Sequence, residues 1–330
     1  AAPDLNLIAG VLGRLEIERF ASPRLAALRS DLDVEGVRPS RRIARLNRLV
    51  ALVDSRANMA MAVIGPLLLW DLHLSYAIED WRRVSGFAVR RWMSAAGEME
   101  AISSIAGDSY EHPGYVFPEF VAEQPYFSGE GLGHPLLPEG RVVRNDVYLA
   151  RDLRVLIVSG SNMSGKSTLL RAIGVNAVLA QAGAPVCARR LRISPLAVGA
   201  SIRTEDSLHQ NTSRFYAEIT QLRRILEKTA DGMPVLSLFD EVLQGTNSHD
   251  RRIGAEAIVQ GLVRQGAIGL LTTHDVALAD IAGMLSPPGG NVHFEDHLAG
   301  GRMHFDYRIR PGVVRKSNAI ALMRSVGLEV

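Results

Sequence analysis

Val155-Leu156-Ile157-Val158-Ser159 runs directly into Gly160-Ser161-Asn162-Met163-Ser164-Gly165-Lys166-Ser167-Thr168. Four consecutive apolar residues before a Ser-Gly pair read as a short strand buried on both faces. Gly160 to Ser167 fits G-x-x-x-x-G-K-[ST] in full, and residues 166–181 read as a helix. The glycines let the backbone curl until its N–H groups converge on phosphate oxygens, and the helix start adds a favourable dipole. Lys166 is expected to reach the β- and γ-phosphates of ATP, and Ser167 to ligate Mg²⁺.

Outward from this loop, the same chemistry recurs at two strand ends. Val235-Leu-Ser-Leu-Phe239 delivers Asp240-Glu241 to the carboxyl end of a sheet, where ligands bind in open α/β folds. Asp240 is expected to hold Mg²⁺ through water, and Glu241 to orient or polarise the attacking water. Residues 268–272 form a further strand, and Thr272-Thr273-His274 places a histidine at its end. That histidine can bond the γ-phosphate or the lytic water, or it can be a satisfied structural histidine. Strand-like stretches at 185–188 and 197–202 and helices at 214–228 and about 250–264 fill the intervals. A hairpin is expected around Gly300-Gly301. His293, His297 and His304 flank it without convincing metal-ligand geometry and read as surface residues. The expected fold class is an α/β P-loop NTPase domain with a mostly parallel sheet, preceded by an all-α domain.

Residues 1–106 carry apolar positions at helical spacing, such as Leu5, Ile8, Leu12 and Leu15, punctuated by Pro23, Pro39 and Pro66. A last long helix is expected over 72–105, with Trp81, Val84, Ala88, Trp92 and Ile102 inward. Residues 107–140 are dense in glycine and proline and read as a connector, which leaves 141–330 for the nucleotide domain. Arg38, Arg41, Arg42, Arg45 and Arg48 recur at helical intervals; the stripe could hold nucleic-acid phosphates or be a solvated helix face.

Composition narrows the remaining classes. The chain has 330 residues, 47% of them hydrophobic and 22% charged, which excludes wholesale disorder. Net charge is +2, too balanced for a nucleic-acid glue acting along the whole chain. Single Cys187 excludes a disulfide framework and suits a reducing, cytoplasmic setting. The longest apolar run, residues 59–70, falls short of the roughly 20 residues of a membrane span. It contains Gly65-Pro66 and reads as two buried helix pieces. The chain starts at Ala1 without methionine, as a fragment would.

The loop Gly160–Thr168 resembles the Gly-Pro-Asn-Met-Gly-Gly-Lys-Ser-Thr of the MutS mismatch-repair family. Asp240-Glu241 followed by Gly245-Thr246-Asn247-Ser248-His249-Asp250 resembles that family's acidic pair and the stretch after it. His134-Pro135-Leu136, Thr273-His274 and Gly312 with Lys316-Ser317 fit as well, so the resemblance covers about 131–330. It implies an ABC-class ATPase that works as a homodimer, with a signature serine of one subunit completing the other's nucleotide site. Asn211-Thr212-Ser213-Arg214-Phe215 with Glu218 looks like that signature, which assigns the role to Ser213. The helical 1–106 looks like a much reduced core-and-lever part. DNA is the partner the resemblance implies; an ATP-gated dimerisation switch acting on a protein or membrane partner is the alternative. Where many relatives stack an aromatic on adenine this chain has Val142, and Tyr307 is the candidate substitute. Phe117-Pro118-Glu119 imitates the family's mismatch wedge but lies beside the nucleotide domain, the wrong place for one.

Overall fold

The computed structural model describes residues 2–33, 36–55, 64–202, 214–299 and 302–314. The chain separates into two compact units, Ala1–Tyr110 and Glu111–Val330.

In the first unit α1 (Ala2–Ile17), α2 (Pro23–Leu32), α3 (Pro39–Asp54) and α4 (Trp70–Glu111) bury Leu12, Leu28, Leu32, Ile43, Trp81, Ala88, Trp92 and Ala95 together. Proline opens α2 and α3, where its missing N–H costs nothing. Glu16 supplies the anion at the start of α3, accepting from Ser40 N at 2.7 Å and Ser40 Oγ at 2.8 Å. The inward seam of α4 runs through Trp81, Ser85, Ala88 and Trp92. Val84, expected inside, is exposed instead; the seam turns Ser85 inward, toward Arg42. Arg42 is itself buried, donating to Val84 O at 3.0 Å, while Trp81 Nε1 donates to Arg42 O at 2.7 Å. The arginine stripe is therefore not uniformly solvated. The expectation of two buried helix pieces over 59–70 is corrected over 64–69: Ile64, Leu67, Leu68 and Leu69 are exposed, and 59–63 lie outside the described residues. No described helix is long and apolar enough to cross a membrane.

The second unit holds two sheets. The larger has the order β10-β9-β4-β8-β7-β6, built from β4 (Val155–Ser159), β6 (Ala197–Ser201), β7 (Val235–Asp240), β8 (Ile268–Thr273), β9 (Gly290–Ala299) and β10 (Arg302–Pro311). Every neighbour pair in it is parallel except β9 with β10. Alternate residues of β4 face opposite ways. Leu156 and Val158 pack with α5 (Lys166–Gln181), while Val155 and Ile157 pack with α6 (Arg214–Lys228) and α7 (Ser248–Arg264). Both faces are covered, which is why the strand sequence is apolar throughout.

The smaller sheet, β1-β5-β2-β3, joins β1 (Glu119–Phe120), β5 (Arg190–Ile193), β2 (Phe127–Leu132) and β3 (Asn145–Leu149). Its Phe127, Leu149, Leu191 and Ile193 share one core with α5. The stretch 107–140 thus does more than connect: α4 runs through to Glu111, and β1 and β2 belong to this sheet. Glycine and proline there mark turns between strands too short to show alternation. The strand expected at 185–188 is displaced to Arg190–Ile193; of that segment only Val186 pairs, in an isolated bridge to Val116. The hairpin forms as expected from β9 and β10, with Gly300-Gly301 outside the described residues.

Candidate nucleotide site

Sheet register brings the chemistry together. Ser159 at the end of β4 is level with Thr273 of β8, and Asp240 at the end of β7 is level with Thr272. Three strand ends therefore open side by side on one edge, where a cleft of about 1510 Å³ lies. Asn162, Met163, Ser164, Gly165, Lys166, Ser167, Thr168, Asp240, Glu241, His274 and Tyr307 line it. Gly160 and Ser161 do not line it, and their carbonyls accept from the loop's lysine.

The loop's shape follows from its backbone. Gly165 has φ +107°, in the left-handed region, and is the N-cap of α5. A Cβ there would come within 3.2 Å of Tyr307 Cδ1, so the tyrosine ring rests against the loop. Met163 also has positive φ and points into solvent. The hydroxyls of Ser161 and Ser164 are buried without a hydrogen-bond partner among the described residues. Unsatisfied polar atoms in a glycine loop of this shape fit a site built for a ligand rich in acceptors.

Lys166 is 4% exposed, and its Nζ donates to Gly160 O at 2.8 Å and Ser161 O at 2.9 Å. Glu241 Oε1 lies 3.4 Å away. Burial holds the ammonium below its ordinary pKa, with Glu241 and Asp240 opposing. The carboxylate of Glu241 is also below its usual range: burial raises it, but Lys166, His274 and the Gln244 hydrogen bond together outweigh burial. The two shifts share a cause. The lysine is the more deeply buried partner and loses more hydration than the carboxylate returns to it. The charged form of both fits the contacts, because an ammonium has three donors and three acceptors surround this one.

Glu241 has φ +54°. Its N–H is shared between Thr272 O and Thr272 Oγ1, both at 3.2 Å, and Thr272 Oγ1 also donates to Asp240 Oδ1 at 2.7 Å. Thr272, quoted only as part of the Thr-Thr-His run, thus positions both acids. His274 is exposed, with Nδ1 3.5 Å from Glu241 Oε1. Gln244 donates to Glu241 Oε2. No motif pointed to Gln244, which faces the site through the turn after β7.

Tyr307 sits in a bulge of β10 between Phe305 and Ile309, stacked on Phe305 at 6.0 Å. Asn145 fixes the bulge by donating to Tyr307 O at 3.0 Å and accepting from Ile309 N at 2.9 Å. Val142 does not line the cleft, but Val143 and Asn145 do. Ser213 lies outside the described residues, as do Asn211, Thr212, Lys316 and Ser317. The flanking histidines need one correction. His293 is buried, with Nδ1 3.0 Å from Gly312 O and Nε2 3.3 Å from Glu295, because β9 is an interior strand there; His297 and His304 are exposed. Glu119 of the wedge-like triplet is in β1, paired with Arg190 at 2.8 Å. Among the described residues, no group of three or more His, Cys, Asp or Glu could hold a metal by itself. A Mg²⁺ here would share its coordination with nucleotide phosphates, as that ion commonly does.

A glycine loop joining a buried parallel strand to a helix, with an acidic strand end beside it, is the geometry of P-loop nucleotide-binding domains. Comparison with known families agrees. A family profile, "MutS domain V", matches residues 156–329. The chain belongs to the MutS family. It is 32% identical over 203 residues to "Endonuclease MutS2" of Thermus thermophilus, covering 59% of this chain and 25% of that protein. It is 32% identical over 256 residues to "Endonuclease MutS2" of Agathobacter rectalis, covering 77% and 31%. It is 31% identical over 238 residues to "DNA mismatch repair protein MutS" of Natronomonas pharaonis, covering 71% and 27%. The chain spans about a quarter to a third of the length of these curated relatives.

Proposed function

We propose that the chain carries a Mg²⁺-dependent ATPase that acts as a homodimer on DNA. The observation that carries the reading is the convergence of Lys166, Asp240, Glu241 and His274 on one cleft at the start of α5. Lys166 leaves the loop carbonyls for the β- and γ-phosphates, and the α5 N-terminus adds its dipole. Ser167 and Asp240 would hold Mg²⁺, which when bound would neutralise charge on the phosphates. Once Lys166 is on phosphate, Glu241 is free to take a proton from water while the water oxygen attacks the γ-phosphorus. The bond from that phosphorus to the β-bridging oxygen breaks, giving ADP and inorganic phosphate. His274 orients the water or the γ-phosphate. Tyr307, whose ring rests against Gly165, contacts the base in this reading, in the absence of an aromatic at Val142.

The open side of the γ-phosphate needs one more donor, and the family resemblance supplies it from Ser213 of a second copy. Turnover per chain should then rise with protein concentration near the dimer dissociation constant. Mixing Lys166→Ala with Ser213→Ala chains should restore activity that neither has alone, since one site of the mixed dimer carries both defects and the other none. A mixture that forms heterodimers yet stays inactive refutes assembly of independent sites in trans. DNA as the partner rests on the relatives' names. Binding to duplex, mismatched or branched DNA should weaken steeply with salt, and salt-independent or absent binding refutes it.

A further inference from the structure

One buried carboxylate of the cleft has no part in the chemistry above. Glu218, in the second turn of α6, is 7% exposed, and its Oε1 accepts the Leu243 N–H at 2.6 Å. The other side of the same residue is held from α7: Arg251 donates Nε to Leu243 O at 3.3 Å and Nη2 to Thr246 O at 3.2 Å. Leu243 is gripped at both its N–H and its C=O.

The grip falls where the backbone is least at ease. Leu243 has φ +57° and Glu241 φ +54°, and non-glycine residues stay in this region only where surroundings over-determine them. Thr272 fixes the near end of the turn at Glu241 N, and Glu218 with Arg251 fixes the far end at Leu243. Between them Val242 is buried. A second contact joins α6 to the turn: a Cβ added at Gly245 would sit 2.9 Å from Phe215 Cβ, so the helix lies directly on this backbone. The twist of three residues is what aims the Glu241 carboxylate at Lys166 and His274.

We infer that Glu218 is a positioning residue, which with Arg251 clamps the Leu243 peptide and thereby sets the aim of Glu241, so that α6 and the hydrolytic carboxylate move as one. The inference rests on the ATPase reading of the site. It makes α6 a lever on hydrolysis: a shift of this helix reaches Glu241 through the Glu218 hydrogen bond to Leu243 N, alongside the packing of Phe215, Leu222 and Ile225 on Val242 and Leu243.

The test uses the whole chain with Glu218→Met, which keeps volume and removes the acceptor, and Glu218→Gln, whose amide oxygen can accept the same bond. Glu218→Met should lower kcat for ATP on the order of ten- to a hundredfold, the size of a small misplacement of a catalytic group, with the dissociation constant for a non-hydrolysable ATP analogue within threefold of the parent. Amide exchange at Leu243 should accelerate in the same variant. Glu218→Gln should restore kcat to within threefold. Arg251→Met should repeat the kcat loss, and the double variant should lose less than the product of the two. Parent-like kcat in Glu218→Met overturns the inference: with a fast-exchanging Leu243 amide the clamp is lost without effect on Glu241, and with an unchanged amide Glu218 does not clamp it. A Glu218→Gln variant as slow as Glu218→Met also overturns it, because charge and not the hydrogen bond would then matter. If Glu218→Met does not fold, the Glu218→Gln and Arg251→Met outcomes decide alone. A parent chain that hydrolyses no ATP refutes the ATPase reading instead, and Leu243 exchange then still reports on the clamp.

Discussion

Replacing Lys166 with methionine separates the binding role of this residue from any role in stability. In the free protein the ammonium is buried on two loop carbonyls and beside Glu241, and burial lowers its pKa, so its charge opposes folding there. Methionine removes that cost but leaves Gly160 O, Ser161 O and Glu241 without their donor. These effects oppose each other, and a residual of about 1 kcal/mol moves the melting temperature by only about 2–4 °C in a domain of this size. Nucleotide binding has no such compensation. Each hydrogen bond from the ammonium to a phosphate oxygen is worth about 1.5–3 kcal/mol. At about 1.4 kcal/mol per factor of ten, losing one such bond weakens ATP binding roughly 10- to 150-fold. The assays are a fluorescent-nucleotide titration and a thermal melt on the same preparation. The linkage sign adds a check. A lysine with a folded pKa below 10.5 binds fewer protons than in the unfolded chain, so its stability term improves as pH rises toward 10.5, and the variant should lack that improvement. Unchanged ATP affinity would refute the phosphate role. A melt lowered by more than about 10 °C would refute the claim that the lysine is dispensable to the fold.

Two further outcomes follow from the site. Gly165→Ala places a Cβ at φ +107° and 3.2 Å from Tyr307 Cδ1, so it should cost about 1–2 kcal/mol in chemical denaturation and weaken nucleotide binding as well; a neutral substitution would contradict the loop geometry. Glu241 has a folded pKa below 4.5, so its contribution to stability is present above that value and is lost as pH falls through the folded pKa. The stability difference between the parent and Glu241→Gln should therefore shrink as pH falls below 4.5 in urea melts, and a difference that grows would refute the ionised pairing with Lys166.

Much of the site was legible because it is local in sequence. The loop 160–168 declares itself through spacing, and Asp240-Glu241 and Thr272-Thr273-His274 each end an apolar strand whose burial on both faces leaves no polar alternative. The helices after the loop and over 214–228 were readable for the same reason. The four-stranded sheet was not: β1 has two residues, β2 carries two glycines, and neither offers enough alternation to separate a strand from a connector. Val84 and Ser85 were exchanged because helical phase was fixed by hydrophobicity alone, whereas Arg42 reaches across from α3 to a polar seam. His293 read as surface because burial on β9 depends on its parallel neighbour β4, far away in sequence. Glu218, Gln244 and Arg251 act through the turn after β7, and nothing in a linear spacing places a side chain on a backbone N–H 25 residues away.

Whether Glu241 is the base for ATP hydrolysis in this cleft is decided by single-turnover hydrolysis of Mg²⁺·ATP by the parent and Glu241→Gln. Glutamine keeps the shape of the side chain and removes the proton acceptor. The variant should bind ATP at least as tightly as the parent, because Lys166 is released from its ion pair, and its chemical step should slow about 10²–10⁴-fold. Hydrolysis at the parent's rate by a variant saturated with ATP would contradict that role for Glu241.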